Sequence, residues 1–193
     1  MDRALRLAIA SLIFNISFSA YHLVLGVLTS SWWLLTLGAY YLILSVVRFV
    51  ALRCKGRSVI KFTGVMLIIL SVSLVGTVIL SVVRDRGYEL HMIVMIAMAT
   101  YAFTKITFAT VNLIKARRST SASLITLRNI SFADAFVSIF ALQRSMLVSF
   151  EGMSEVEIVI MNAALGSAVC AIVFLLGVNL LRSNKVLFKR LDN

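Results

Sequence analysis

Two residues that could carry charge chemistry, Asp134 and Lys105, lie within stretches that are otherwise apolar. An ionised carboxylate in the middle of a membrane span costs on the order of 3 kcal/mol, so it is expected to be paired or functional. At a rise of about 1.5 Å per residue, Asp134 lies about 20 Å into its segment and Lys105 about 15 Å from the inner end of the preceding one. The sequence therefore predicts either an ion pair that neutralises itself or a proton or cation site at mid-membrane.

Other polar residues within the apolar stretches include Asn15 and His22. His22 could handle a proton, because the imidazole of histidine titrates near neutral pH. Packing and hydrogen bonding between helices are the more common roles of such residues. Arg48, near the inner end of its stretch, is expected to extend its guanidinium to the lipid headgroups. Trp32, Trp33 and the two tyrosines at 40 and 41 are typical of an aromatic belt and packing at the outer surface.

The composition is that of a polytopic membrane protein. The chain has 193 residues, of which 61% are hydrophobic, and a mean hydropathy of +1.00. The net charge of +11 does not indicate nucleic-acid binding, because the basic residues lie in short loops between apolar stretches. Proline is absent, so continuous helices are expected rather than broken ones. Cys54 and Cys170 are expected at different depths, without a disulfide.

We predict an all-α fold of six transmembrane helices in a single domain, residues 1–193, with the lipid bilayer as its surroundings. The predicted spans are 5–28, 31–53, 60–83, 90–115, 122–149 and 157–181, each long enough to cross. Fifteen of the 19 lysines and arginines would lie on one side, which places both termini in the cytoplasm, at the plasma membrane. These are Arg3, Arg6, Arg48, Arg53, Lys55, Arg57, Lys61, Lys115, Arg117, Arg118, Arg128, Arg182, Lys185, Lys189 and Arg190.

The two halves of the chain resemble each other at a constant offset of 90 residues. Between 31–52 and 121–142, seven positions are identical, among them Leu34 and Leu124, and Val47 and Val137. The offset aligns Asn15 with Lys105. Because each half has three spans, the two halves have opposite orientation, which predicts a 3+3 inverted repeat. Such repeats recur in secondary transporters, whose site lies at the midplane.

Two short motifs resemble the cation diffusion facilitator family. Asn15-x6-His22-x3-Gly26-x4-Ser31-x2-Leu34 resembles the family's first hairpin, and Ser121-x2-Leu124 followed by Asp134-x3-Ser138 resembles its fifth span. The resemblance implies six spans with both termini inside and a zinc site of two residues from span two and two from span five. Those four positions are Tyr40, Leu44, Ile130 and Asp134 in this chain.

The family's metal site is not preserved at these positions. Of the four, only Asp134 has ligand chemistry that zinc uses, and leucine and isoleucine cannot coordinate. The cytoplasmic metal-binding domain that usually follows span six is also absent from the 193 residues. His91, Met92, Met95 and Met98 have Cu(I)-compatible ligands among them, but their spacing of three spreads the methionines over an arc of about 120°. We therefore predict no metal and no cofactor.

Two functions remain open from the sequence. One is a secondary transporter of a small solute, with a candidate midplane site at Asp134, Lys105, Tyr40, Asn15 and His22. The other is a non-transporting membrane scaffold, subunit or regulator that keeps the bundle. No motif of an enzyme is present, and no catalytic residue is predicted. Ala163, Ser167 and Ala171 form a row of small residues that would suit a homodimer or an internal helix contact. The sequence does not name the solute.

Overall fold

The computed structural model describes residues 3–54, 57–83, 92–116, 122–149 and 154–189. These form six helices: α1 (Arg3–Leu28), α2 (Trp32–Arg53), α3 (Arg57–Val83), α4 (Met92–Ala116), α5 (Ala122–Ser149) and α6 (Glu155–Lys189). The described residues contain no strand. The helix bounds agree with the predicted spans to within three residues, except that α6 continues to Lys189 instead of ending near 181.

Five of these helices are long and apolar enough to cross a membrane, and α4 contains a shorter apolar segment, Met95–Val111. α1 shows how the bundle is adapted to lipid. Its buried residues include Ser11, Asn15, Ser19 and His22, whereas most of its large apolar residues, such as Ile13, Phe14 and Ile16, are exposed. A helix with a polar inner face and an apolar outer face is the arrangement expected where the surrounding solvent is hydrocarbon. The protein is therefore an integral membrane protein of helical type.

α2 and α5 are the two most buried spans, and they lie antiparallel at the centre of the bundle. The hydroxyls of Tyr41 on α2 and Ser138 on α5 are 3.0 Å apart, while Arg48 further along α2 reaches Ser131, earlier on α5. α1 packs against α2 and α4 against α5. Both halves of the chain therefore bring their first two helices to the same centre.

The remaining helices, α3 and α6, form the most extensive pair in the bundle. They cross closely at a glycine: a Cβ on Gly177 would lie 2.9 Å from the backbone oxygen of Gly64, a distance that a side chain cannot occupy. The contact between α2 and α3 corresponds to the contact between α5 and α6. The first, second and third helices of one half also contact their counterparts in the other half, as α1–α4, α2–α5 and α3–α6. These pairings agree with the predicted repeat, although α3 also packs on α5 and no α2–α6 contact of similar extent occurs among the described residues.

Candidate functional site

A single carboxylate oxygen, Oδ2 of Asp134, joins four helices. It accepts hydrogen bonds from Nδ2 of Asn15 on α1 at 2.9 Å, from Nη2 of Arg48 on α2 at 3.1 Å, and from Nζ of Lys105 on α4 at 2.5 Å. All four side chains are at most 3% exposed. We call Asn15, Arg48, Lys105 and Asp134 the charge cluster. The contact predicted between Asp134 and Lys105 is present, while the functional role of the cluster stays a prediction.

Helical periodicity explains why these residues converge. Residues three, four and seven apart share a face of a helix. On α2, Leu44 and Arg48 follow Tyr41 at such intervals. On α5, Ser131 and Ser138 flank Asp134 in the same way, and the Ser138 hydroxyl donates to the backbone carbonyl of Asp134 at 2.8 Å. The inner faces of the two central helices therefore carry the polar residues to one place.

Aromatic rings surround Lys105 and its neighbours. The Tyr101 hydroxyl donates to Oδ1 of Asn15 at 2.9 Å, and the Tyr101 ring stacks on Phe18 with centroids 3.5 Å apart. Nζ of Lys105 lies 4.6 Å from the centroid of Tyr101 and 5.4 Å from that of Tyr41. An ammonium over the face of a tyrosine is attracted by the ring's quadrupole. These rings therefore stabilise the charge of Lys105 while filling the space around it.

Arg48 does not extend to the headgroups, and that prediction was wrong. Its side chain is 1% exposed and donates from Nη1 to Ser11 as well as from Nη2 to Asp134. The cause is competition: a guanidinium inside the bundle that finds a carboxylate and two hydroxyls has more donors satisfied than one at the membrane surface. Lys105 is therefore one of two cations on Asp134, rather than its only partner.

The charge cluster contains more cationic than acidic side chains. It contains two cations and one carboxylate, and Asp134 is the only acid among the buried residues that the structure describes. The carboxylate is also held from one side only, since its second oxygen, Oδ1, has no hydrogen-bond partner within the described parts of the chain. Arginine keeps its proton inside proteins. When both cations are protonated, the interior around Asp134 therefore carries a formal surplus of one positive charge.

The other two candidate residues lie beside the cluster and form no hydrogen bond with Asp134 among the described residues. His22 is buried, with its ring edge-on to Phe18 at 4.4 Å and stacked on Tyr41 at 5.9 Å. Tyr40 is buried and packs edge-on against Tyr41. Neither nitrogen of His22 nor the hydroxyl of Tyr40 has a hydrogen-bond partner among the described residues. The structure therefore brings together three of the five predicted residues.

The four positions that the family resemblance singles out all face the core. Tyr40, Leu44, Ile130 and Asp134 are between 0% and 3% exposed. No group of three or more His, Cys, Asp or Glu residues that could hold a metal ion occurs in the described ranges. Of the copper candidates, Met92 is 70% exposed and His91 lies outside the described residues.

The expected aromatic belt is reduced to one tryptophan. Trp32 is 66% exposed, whereas Trp33, Tyr40 and Tyr41 are buried in the core. Trp33 covers a third buried cation besides Arg48 and Lys105: the guanidinium carbon of Arg144 lies 4.5 Å from the centroid of its ring. Arg144 is 2% exposed and donates from Nη1 to the backbone oxygen of Ser81 at 3.1 Å. Of the predicted belt and packing, Trp32 is therefore the member available to a belt, and the other three residues serve packing.

No protein-family model, no curated protein and no solved structure matches this chain. The class that fold and composition define is an integral membrane protein of six helices with a buried charge cluster at its centre.

Proposed function

We propose that this protein is a secondary transporter of a small solute, with the charge cluster as its binding site. The observation that carries the proposal is the convergence of Asn15, Arg48 and Lys105, from three helices, on one oxygen of Asp134. Ionisable residues inside a membrane bundle are costly and commonly mark a solute or proton pathway. In transporters built from repeats, the site lies between the halves, and here α1 and α2 supply two members of the cluster and α4 and α5 the other two.

The cluster as described is closed, which fits the occluded state of a transporter. Asp134 is 0% exposed and Lys105 is 3% exposed, so a solute reaches them only after helices move apart. α1 offers a contact that could separate, because its packing against α4 is slight compared with its packing against α2. Alternating access by movement of one half against the other would open the cluster between these two hairpins.

The proposal includes a relationship to cation diffusion facilitators, supported by the motifs around Asn15 and Asp134. If the bundle is of that type, its site has changed charge. Arg48 and Lys105 now occupy the surroundings of the one remaining carboxylate, and a divalent metal ion placed there would be repelled by both. We therefore propose a facilitator-like bundle that no longer carries zinc.

Uptake into proteoliposomes tests transport. Purified protein is reconstituted, and a panel of labelled small solutes is offered with and without a pH gradient. Transport by the wild type should be lost in Asp134→Asn, which keeps the size of the side chain and removes its charge. Thr107→Val is the matched control: Thr107 lies on α4 near Lys105, is exposed and donates only to its own helix, at Phe103. Equal uptake by wild type and Asp134→Asn would refute the role of the cluster.

A non-transporting scaffold or regulatory subunit is the second candidate, favoured by the same closed packing. The aromatic rings of Phe18, Tyr41 and Tyr101 fill the space beside Lys105, as expected if the charges only hold four helices together. Absence of uptake for every solute, together with a stable protein that co-purifies with a membrane partner, would favour this function.

A further inference from the structure

We infer that the charge cluster binds a small monovalent anion, a halide or a short carboxylate, which takes the place of the Asp134 carboxylate between Arg48 and Lys105 when Asp134 is protonated. The inference names the solute of the transporter proposed above, and rests on that proposal only for transport itself. Binding of the anion can be measured without transport.

The first support is the surplus of donors and positive charge. Arg48 and Lys105 face one carboxylate, and the described part of the chain places no other acid in the buried interior. Among the described residues of α1, the amide of Asn15 and the hydroxyl of Ser11 are the groups that bond to the cluster. α3 and α6 contribute no ion pair to Asp134 among the described residues. The titratable side chains that face the two cations are Asp134 on α5 and two tyrosines, Tyr41 on α2 and Tyr101 on α4, whose rings lie over Lys105.

The second support is the way in which Asp134 is held. Three donors converge on Oδ2, while Oδ1 has no partner in the described ranges. A carboxylate that binds arginine through both oxygens forms two parallel hydrogen bonds, which fix it strongly. Here Arg48 uses Nη2 for Asp134 and Nη1 for Ser11, so Asp134 is held through one atom. A halide ion, or one oxygen of a formate, would occupy the same point among the three donors that Oδ2 of Asp134 occupies.

The charges of the cluster explain how an anion from solution can replace the Asp134 carboxylate. When Asp134 takes up a proton from solvent, its carboxyl becomes neutral, and Arg48 and Lys105 are left with two unopposed charges. An entering anion then restores the charge state of the resting cluster, so one proton and one anion enter together. No bond to carbon is made or broken in this exchange. Binding should tighten by up to about tenfold per pH unit as pH falls, because one proton is taken up with each anion.

Melting of the purified protein in detergent tests the inference at pH 5 and pH 8. Sodium chloride and sodium formate are compared with sodium gluconate at the same ionic strength, so that general screening cancels. We expect the melting temperature of the wild type to rise with chloride or formate at pH 5, and to rise less at pH 8. A response to chloride indicates a halide site and a response to formate alone a carboxylate site. Absence of any response to both ions at both pH values would overturn the inference.

Variants locate the anion. In Asp134→Asn no internal carboxylate competes, so the response at pH 5 should become larger than that of the wild type. Lys105→Met and Arg48→Met should lose the response to the anion. If Arg48→Met does not fold, Arg48→Lys replaces it and should retain part of the response. Arg144→Met is the matched control, because it removes a buried arginine outside the cluster. A response that survives in both methionine variants of the cluster, or one that Asp134→Asn abolishes, would overturn the proposed place of the anion.

Discussion

Replacing Asp134 should destabilise the bundle far more than replacing Lys105. The single variant Asp134→Leu leaves two buried cations, Arg48 and Lys105, without the oxygen that lies 3.1 Å and 2.5 Å from them. Removing one partner of a buried pair typically costs about 3–5 kcal/mol, and here two partners lose it at once. Lys105→Leu leaves the Arg48–Asp134 pair, which is neutral. The Lys105→Leu substitution removes one charged hydrogen bond, worth about 1.5–3 kcal/mol. Because it also removes the surplus charge, the net loss of stability should be below about 2 kcal/mol.

Arg48 also changes the result expected of the double variant. If Lys105 alone neutralised Asp134, as the sequence suggested, replacing both by leucine would recover most of the lost stability. Because Arg48 is bonded to the same oxygen, the double variant leaves Arg48 unpaired and should stay close to Asp134→Leu. Adding Arg48→Leu should recover most of the loss, since apolar replacement of a whole buried ionic group is often nearly neutral.

The free energy of unfolding measured by denaturant titration in mixed micelles distinguishes these outcomes. Thr107→Val should leave it unchanged, as its hydroxyl bonds only within α4. Equal losses for Asp134→Leu and Lys105→Leu, or recovery in their double variant, would show that Arg48 is not a partner of Asp134.

Three further predictions concern topology, metal and charge. A reporter fused after Arg86 should be found outside the cell and one at Asn193 inside, because the basic residues are concentrated at the opposite ends of the spans; a cytoplasmic signal at Arg86 would contradict the orientation. Calorimetry should detect no tight zinc binding, and a zinc site that Asp134→Ala abolishes would count against this. Leu44→Asp should be tolerated better than Leu37→Asp, although both leucines are 0% exposed on α2. Only Leu44 lies one turn from Arg48, where a second carboxylate offsets the surplus charge. Equal thermal destabilisation by the two variants would refute the surplus.

The helices could be predicted from sequence because the signal is strong: apolar runs of the length of a membrane span, separated by short basic or polar loops. Asp134 and Lys105 could be paired because depth along a helix follows from residue number alone. That estimate needs no knowledge of which face of each helix points inward.

Arg48 was missed for the complementary reason. Its depth placed it near the inner interface, where a long side chain usually reaches the headgroups, and depth says nothing of the direction in which a residue points. A signal for direction was present: Arg48 follows Tyr41 by seven residues and Leu44 by four, so it shares their face. Using it required knowing that this face is the buried one. The polar residues of α1 at 11, 15, 19 and 22 carry the same kind of information, since in lipid the polar face points inward.

The offset of 90 residues offers a physical account of why the charges meet. It aligns Asn15 with Lys105 and Leu44 with Asp134, and both Asn15 and Lys105 donate to the same oxygen of Asp134. Residues related by a twofold axis approach one another only near that axis, so this shared contact is what the repeat requires if the axis passes beside Asp134. Leu44, the equivalent of Asp134, is fully buried. If the two halves are related by such an axis, one carboxylate is within reach of both, so the equivalent residues Asn15 and Lys105 can share it while the position equivalent to Asp134 remains apolar.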